Sequence, residues 1–242
     1  MTEWFDDQLL DEFAHNFYGY GNYNGQFWFV GMEEGGGNSF AEIAKRLSVW
    51  AKRGKRELED VAEYHIDIGL SHLFSERPTI QLTWGKLVRI LLSSNGIAPT
   101  TEQVREYQRT SLGRLTGDNC LAELLPLPSP STGRWLYAQH SQLPYLVNRE
   151  RYKQACLVPR IAHLRQRINE HRPKAVIFYS FSYREHWQEI AGVDFSLESD
   201  EMYIGRRESS LFVITRHPAA KGITSEYFHQ VGKVISAELL KQ

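Results

Sequence analysis

Four short apolar runs lie at wide intervals along the chain. Each run is nearly continuous rather than alternating, which is typical of strands covered on both faces of a parallel sheet. Because helical patterns lie between and after the runs, their order predicts an α/β fold in which crossovers join parallel strands. The predicted strands are "QFWFVGM" (26–32), "CLAELLPL" (120–127), "KAVIFYS" (174–180) and "LFVITRH" (211–217).

Apolar residues at helical spacing predict the remaining elements. Ser39 and Glu42 fit a capping box at the start of one helix. Pro159 is expected to kink or split another, because proline lacks the N–H that a helix interior needs. The predicted helices cover 4–17, "NSFAEIAKRLSVWAKRG" (38–54), 83–94, 100–109, 148–171 and the end of the chain from Thr224 or Ser225.

Composition narrows the functional classes only a little. A chain of 242 residues suits one large α/β domain or two small ones, and since no boundary stands out, residues 1–242 are predicted to form one domain. The net charge of −1 favours no partner, so a nucleic-acid binder would need a local basic face. Two cysteines, Cys120 and Cys156, are too few for a disulfide framework or a four-cysteine metal cluster.

The sequence carries no pattern of export or membrane insertion. Its first residues, "MTEWFDDQLLDEF", are acidic and unlike a signal peptide. No apolar run approaches the roughly 20 residues that a membrane-spanning helix needs. We therefore expect a cytoplasmic protein without a membrane partner.

The polar residues most suited to chemistry follow the predicted strands. In open α/β sheets, ligands bind beyond the carboxyl ends of the strands, where segments distant in sequence meet. Glu33 and Glu34 end the first strand, Glu123 lies in the second, Tyr179 ends the third and His217 ends the fourth. The sequence therefore predicts one site at this edge of the sheet.

A glycine run follows the first strand. Gly35, Gly36 and Gly37 precede a helix that begins near Ser39, so a ligand could approach the main chain closely and an anion could sit at the helix N-terminus. The spacing is neither GxGxxG nor a P-loop, so a dinucleotide or nucleoside triphosphate is not indicated. The alternative is a flexible turn between strand and helix.

Two side chains suit acid–base work at this edge. Adjacent residues of a strand face opposite ways, so at most one of Glu33 and Glu34 is expected to face a ligand. Glu33 is either a general base for a water molecule or a structural carboxylate, whereas Glu34 is expected to be solvated or salt-bridged. His217, fixed by the following Pro218, can donate a hydrogen bond to a developing anion. The other histidines lack HxxxH or HExxH spacing, so no metal site is predicted.

These motifs together resemble those of the uracil-DNA glycosylase superfamily. "GMEEG" (31–35) is similar to its first motif, which often reads like GMNPG, "AELLP" (122–126) is similar to its TNLVP strand, and "HPA" (217–219) is similar to its last, histidine-proline-serine motif. The resemblance covers the four strands in order. It implies a three-layer α/β/α sandwich with a central four-stranded parallel sheet.

The chain departs from that superfamily at the residues that carry the chemistry. Glu33 stands where relatives have aspartate, asparagine or alanine, Glu34 replaces a proline, Glu123 replaces an asparagine that reads the base, and Ala219 replaces a serine. The cysteine cluster of the thermostable branch is absent. The fold can therefore be shared while the substrate is not.

The resemblance implies a mechanism and a set of ligand contacts. A nucleobase would flip into the pocket, Glu33 would position or deprotonate a water, and His217 would stabilise the departing base, without cofactor or metal. An ionised Glu123 accepts hydrogen bonds only, so it suits an amino or imino group better than a carbonyl. The expected base contacts are Met32, Phe40, Glu123 and Tyr179, or Tyr183 in place of Phe40 or Tyr179. The expected phosphate contacts are Gly35, Gly36, Gly37, Arg216, Lys221 and Ser225, with a solvated rim as the alternative for Arg216 and Lys221.

Three functions follow from these observations. The first is a DNA glycosylase that excises a damaged or deaminated base in repair, with DNA as partner. The second is a protein of the same fold that binds a base, nucleotide or nucleic acid without cleaving it, which the replaced motif residues favour. The third, a Rossmann-like enzyme of small-molecule metabolism, is disfavoured by the missing cofactor fingerprint.

Overall fold

The strands of the molecule form one mixed sheet. The computed structural model describes residues 3–131, 133–199 and 202–241, and in this part of the chain eight strands pair in the order β3-β1-β4-β2-β5-β8-β7-β6. The strands are β1 Gly19–Gly21, β2 Phe27–Glu33, β3 Leu58–Glu59, β4 Asn119–Leu125, β5 Ala175–Tyr179, β6 Ser196–Ser199, β7 Met202–Arg207 and β8 Ser210–Thr215.

The four predicted strands form the parallel centre of this sheet, as the apolar runs indicated. They are β4, β2, β5 and β8, adjacent in that order, and each neighbouring pair is parallel. Nearly every residue in them is buried, because helices and loops cover both faces. Their carboxyl ends consequently lie along one edge, with Gly31 of β2 paired to Glu123 of β4.

The prediction of a four-stranded sheet is wrong, because additional strands extend it on both sides. β7 pairs antiparallel with β8 and β6 with β7, while β1 pairs antiparallel with β4 and parallel with β3. β1 escapes a pattern-based prediction because it contains two glycines. Gly19 has φ +137°, and a Cβ there would lie 2.0 Å from the carbonyl oxygen of Leu121, so glycine is what lets β1 approach β4. The architecture remains an α/β fold compatible with a sandwich.

Nine helices of four or more residues accompany the sheet in the described part of the chain. The six predicted ones are present, and α3, α6 and α8 are additional. The helices are α1 Asp7–Asn16, α2 Phe40–Lys52, α3 Val61–Asp67, α4 Leu82–Ser94, α5 Thr101–Thr110, α6 Tyr137–His140, α7 Arg149–His171, α8 Arg184–Ala191 and α9 Ser225–Leu239.

Pro159 does not split α7, which runs unbroken from Arg149 to His171. The proline is exposed, so its missing N–H lies on the solvent side of the helix. Buried residues before and after it, Cys156 and Leu164, continue one apolar face. Packing on both sides of the proline therefore holds the helix together.

Arg160 of α7 joins the first helix to the sheet from inside the core. It is 1% exposed, and its guanidinium lies 3.7 Å from the ring centroid of Tyr18. Burial lowers its pKa, yet five main-chain carbonyls satisfy its N–H groups. These carbonyls belong to Ala14, His15, Phe17, Glu123 and Leu124.

Within residues 3–131, 133–199 and 202–241, no helix has both the length and the apolar character needed to cross a bilayer.

Candidate functional site

A cavity of about 660 Å³ opens at the carboxyl edge of the parallel strands. Glu33 and His217 are 184 positions apart in the sequence, and both line this cavity. The two residues expected at one edge of the sheet therefore share one cavity. The other predicted residues that line it are Glu34, Gly35, Gly36, Glu123 and Tyr179. Residues from α2, α3 and α4 complete the wall, among them Arg46, His65 and Trp84.

The carboxyl group of Glu123 and the hydroxyl of Tyr179 form a pair on this wall. Tyr179 Oη donates a hydrogen bond of 2.6 Å to Glu123 Oε1, whereas Glu123 Oε2 is buried without a partner in the described residues. Gly31 makes room for both groups, because a Cβ there would lie 2.1 Å from Tyr179 Oη and 2.3 Å from Glu123 Oε2. The glycine of the predicted first motif thus serves side-chain packing rather than a turn.

Burial raises the pKa of Glu123 to about 8, against a smaller lowering by the hydrogen bond from Tyr179. This environment therefore favours the protonated form of Glu123 near neutral pH over the ionised form considered from the sequence. A protonated carboxyl donates one hydrogen bond as well as accepting others. Glu123 then suits a carbonyl oxygen or ring nitrogen, and it loses this O–H donor as the pH rises through about 8.

Glu33 is held by Arg149, a residue that no sequence pattern singled out. Nη1 of Arg149, the first residue of α7, donates to Glu33 Oε2, while Glu33 Oε1 is buried with no partner in the described residues. Arg149 Nη2 also donates to Ser129 Oγ and to the carbonyl oxygen of Ser131. The same side chain therefore fixes the proline-rich loop of residues 126–131. Burial raises the pKa of Glu33, and Arg149 opposes that rise.

Glu34 is salt-bridged, one of the two environments expected for it. Its Oε1 accepts hydrogen bonds of 2.7 Å from Arg46 Nη1 and from Tyr20 Oη. Arg46 is 4% exposed and also contacts Glu42 at 3.4 Å. Glu34 therefore balances a buried charge instead of offering a base to a ligand.

His217 presents a neutral imidazole to the cavity. Burial lowers its pKa, and the positive charge of Lys86 lowers it further. The main-chain N–H of Ala219 donates to His217 Nδ1 at 3.0 Å, so in the neutral ring the proton is on Nε2. The Tyr179 ring meets the imidazole edge-on at 5.7 Å. The Nε2–H group is thus the donor available to a ligand.

The loop that contains Gly35, Gly36 and Gly37 already binds the carboxylate of Glu42. Ser39 Oγ accepts from the N–H of Glu42 at 3.2 Å, which is half of the expected capping box. The Glu42 carboxylate turns instead to the N–H groups of Gly37 and Asn38, at 2.9 Å each. A phosphate at this helix N-terminus would have to displace Glu42, so this geometry favours a turn over a phosphate cradle.

The structure does not bring two expected base contacts to the cavity. Met32 is buried in the core, with 6% of its surface exposed. Phe40 stacks on Phe5 at 4.6 Å between ring centroids and lies 4.9 Å from the ring of His140. Of the four residues expected to meet a base, Glu123 and Tyr179 line the cavity.

Four expected phosphate contacts also lie outside the cavity lining of the described chain. Gly37 faces the carbonyl oxygen of Pro128, and Lys221 is exposed on a turn. The Arg216 guanidinium lies 5.6 Å from the ring centroid of Phe181. Ser225 lines a separate hollow of about 250 Å³.

Across the residues that the structure describes, no group of His, Cys, Asp and Glu side chains is arranged to hold a metal ion. No protein-family model matches this chain, and no curated protein matches its sequence significantly.

Proposed function

We propose that the cavity binds a nucleobase flipped out of a nucleic acid and that Glu33 and His217 hydrolyse its N-glycosidic bond. The observation that carries this proposal is the shared cavity of Glu33 and His217, with the Glu123–Tyr179 pair on its wall. The similarity of "GMEEG", "AELLP" and "HPA" to motifs of the uracil-DNA glycosylase superfamily supports it. Two carboxyl groups and a neutral histidine are a set that glycosidic hydrolysis can use.

Glu33 and His217 take different parts in the reaction. Glu33 accepts a proton from water as the water oxygen bonds to the sugar carbon, and the bond from that carbon to the base nitrogen breaks. The electron pair leaves with the base, and His217 Nε2–H donates a hydrogen bond to the resulting anion. Burial makes Glu33 more basic, whereas the charge of Arg149 favours its ionised form, and both effects suit a general base.

The Glu123–Tyr179 pair would orient the base. A protonated Glu123 offers an O–H group to a carbonyl oxygen or ring nitrogen of the base edge. Above pH 8 the same carboxyl would repel that acceptor, so base binding should weaken there. An oxo-substituted base fits the neutral form, in contrast to the amino-bearing base that an ionised Glu123 favours.

A second candidate function is base or nucleic-acid binding without cleavage. The ion pair between Arg149 and Glu33 favours it, because one carboxylate oxygen is occupied and the side chain is fixed. The replacement of the expected serine by Ala219 favours it as well. In this function Glu33 would hold Arg149 and the loop, and His217 would contact the base without chemistry.

A panel of single-stranded and duplex oligonucleotides, each with one modified base, tests both functions. Heat and alkali convert abasic products to strand breaks, which the enzyme should generate and the Glu33→Gln and His217→Ala variants should not. Glu185→Gln and His72→Ala, at exposed positions, are the matched controls and should retain the activity. Breaks that persist in both site variants would overturn the enzymatic proposal, and tight, salt-sensitive binding without breaks would support the second function.

A further inference from the structure

The ring of His65 is fixed on the cavity wall with one nitrogen unused. His65 Nδ1 lies 2.7 Å from the carbonyl oxygen of Val61, which can only accept, so the proton is on Nδ1 and Nε2 is the acceptor. In the described chain no group hydrogen-bonds to Nε2. This atom is not one of the polar atoms that are both unpaired and fully buried, so it keeps some accessible surface. His65 is 4% exposed and lines the cavity, so the small surface it keeps is directed at that space.

Aromatic rings hold this imidazole in place. Trp84 meets it at 84° with 4.9 Å between centroids, Tyr20 lies at 5.1 Å, and Phe74 at 6.2 Å. Burial and the charge of Arg46 lower the pKa of His65 to about 3, so Nε2 remains an acceptor at ordinary pH. The wall thus offers a fixed acceptor among rings.

This aromatic part of the cavity lies beside the strand-end site. Tyr20 links the two, because its ring packs on His65 and its hydroxyl donates to Glu34 at 2.7 Å. Leu70, Leu73 and Trp84 also line the cavity here. The volume of about 660 Å³ lies within the roughly 300–1,000 Å³ of sites that enclose drug-sized ligands, which is more than a single ring needs.

We propose that His65 Nε2 and Trp84 form a second subsite, which accepts a hydrogen bond from the N–H group of an unpaired nucleobase adjacent to the base at the strand ends. The proposal rests on the proposed function for the identity of the ligand as a nucleic acid. It adds a preference for single strands, because pairing in a duplex engages the N–H groups of the Watson–Crick edge. The ring would pack against Trp84, and stacking on aromatic side chains is the usual way to hold an unpaired base.

The test compares two single-stranded hexanucleotides, one with adenine at every position and one with unsubstituted purine, which lacks the amino group. Fluorescence anisotropy at low salt measures their binding to the full chain. The wild-type protein should prefer the adenine strand roughly two- to tenfold through the His65 bond, the range of one neutral hydrogen bond. His65→Phe keeps a ring but no acceptor, so it should lose this part of the preference, whereas His72→Phe, at an exposed position, should retain it.

Two further measurements test the subsite without relying on the stability of the His65→Phe variant. Trp84→Phe, at a half-buried position, keeps an aromatic neighbour for His65 but offers a smaller stacking surface, so it should weaken the binding of both strands without changing their ratio. Pairing the adenine strand with its complement should remove the His65-dependent preference in the wild-type protein. An unchanged ratio in a folded His65→Phe variant, or no binding of either hexanucleotide, would overturn the proposal.

The outcomes separate this subsite from the catalytic proposal. A His65-dependent preference without any abasic product would support the subsite while the glycosylase activity fails. Abasic product that is formed equally by wild-type and His65→Phe protein, together with an unchanged binding ratio, would remove the subsite and leave the activity standing.

Discussion

Tyr179 donates its hydroxyl hydrogen to Glu123 across the main chain of Gly31. The two residues belong to β5 and β4, which lie on opposite sides of β2 in the sheet. A buried carboxyl and a phenol can meet over a central strand only where that strand has no side chain in the way. The relationship makes the wall of the cavity sensitive to one methyl group.

Gly31→Ala should therefore disrupt the site. A Cβ at 2.1 Å from Tyr179 Oη and 2.3 Å from Glu123 Oε2 forces both side chains to move, and overpacking of this kind costs about 1–3 kcal/mol. Urea unfolding measures the loss, and base binding should fall with it. Gly35→Ala is the control, because nothing lies within 4 Å of a Cβ at that position. Equal stability of the two variants would contradict the packing derived for Gly31.

Glu123→Gln should flatten the dependence of stability on pH. The folded protein keeps a proton on Glu123 up to a pKa of about 8, whereas the unfolded chain releases it near 4.5. Between these values the folded state binds more protons, so the free energy of unfolding falls as the pH rises. From pH 6 to pH 9 this contribution is about 2–3 kcal/mol, at about 1.4 kcal/mol per pKa unit.

Urea unfolding of both proteins at pH 6 and pH 9 isolates this contribution, because the other titrating groups are common to the two. The exposed Glu185→Gln variant should keep the wild-type loss. If Glu123→Gln loses as much stability as the wild type between these pH values, Glu123 is ionised in the folded protein.

Arg149→Met should destabilise the fold and leave Glu33 without its counter-charge. Removal of one member of a buried ion pair costs about 3–5 kcal/mol, and here the loss should be about 2–4 kcal/mol because both side chains keep some exposure. The pKa of Glu33 should rise, since the main effect that opposes burial is then gone and the charge of Lys153 remains. Unfolding in urea at pH 7 gives the loss.

The Arg149→Met/Glu33→Gln double variant completes a mutant cycle for this pair. It should be more stable than Arg149→Met alone, because no carboxylate is left uncompensated. Strictly additive effects would show that the two side chains do not interact in solution.

Lys86→Met should raise the pKa of His217. The lysine ammonium donates to the carbonyl oxygens of Pro218 and Ile223, which places its charge next to the loop that carries the imidazole. NMR titration of the His217 ring protons follows the change. Lys221→Met is the control and should leave the pKa as it is, because Lys221 is exposed and does not contribute to the shift. The same pKa in wild type and Lys86→Met would mean that burial alone lowers it.

The central strands and the meeting of their polar ends could be read from the sequence. Continuous apolar runs identify β2, β4, β5 and β8, and the rule that parallel strands end at one edge places Glu33 near His217. The short strands could not be found in this way. β3 has two residues, and β1 depends on glycines whose role is visible only beside β4.

The partners of the charged residues were equally hidden. Arg149 reaches Glu33 across 116 positions, and no periodic pattern encodes such a contact. Trp84 lies on a helix whose amphipathic spacing indicates burial but not which cavity it borders, and His65 lies on α3, which no sequence pattern predicted. Phe40 shows the reverse failure, since the resemblance implied a stacking ring there and its actual neighbours are Phe5 and His140.

Arg160 gives the N-terminal segment an energetic role beyond covering the sheet. α1 and the following Phe17 cannot detach without removing three of the carbonyl oxygens that satisfy an enclosed guanidinium. Amide protons of α1 should therefore exchange with deuterium only in the same global opening event that releases β4. A protease added to the native protein would therefore leave α1 intact until the whole fold opens.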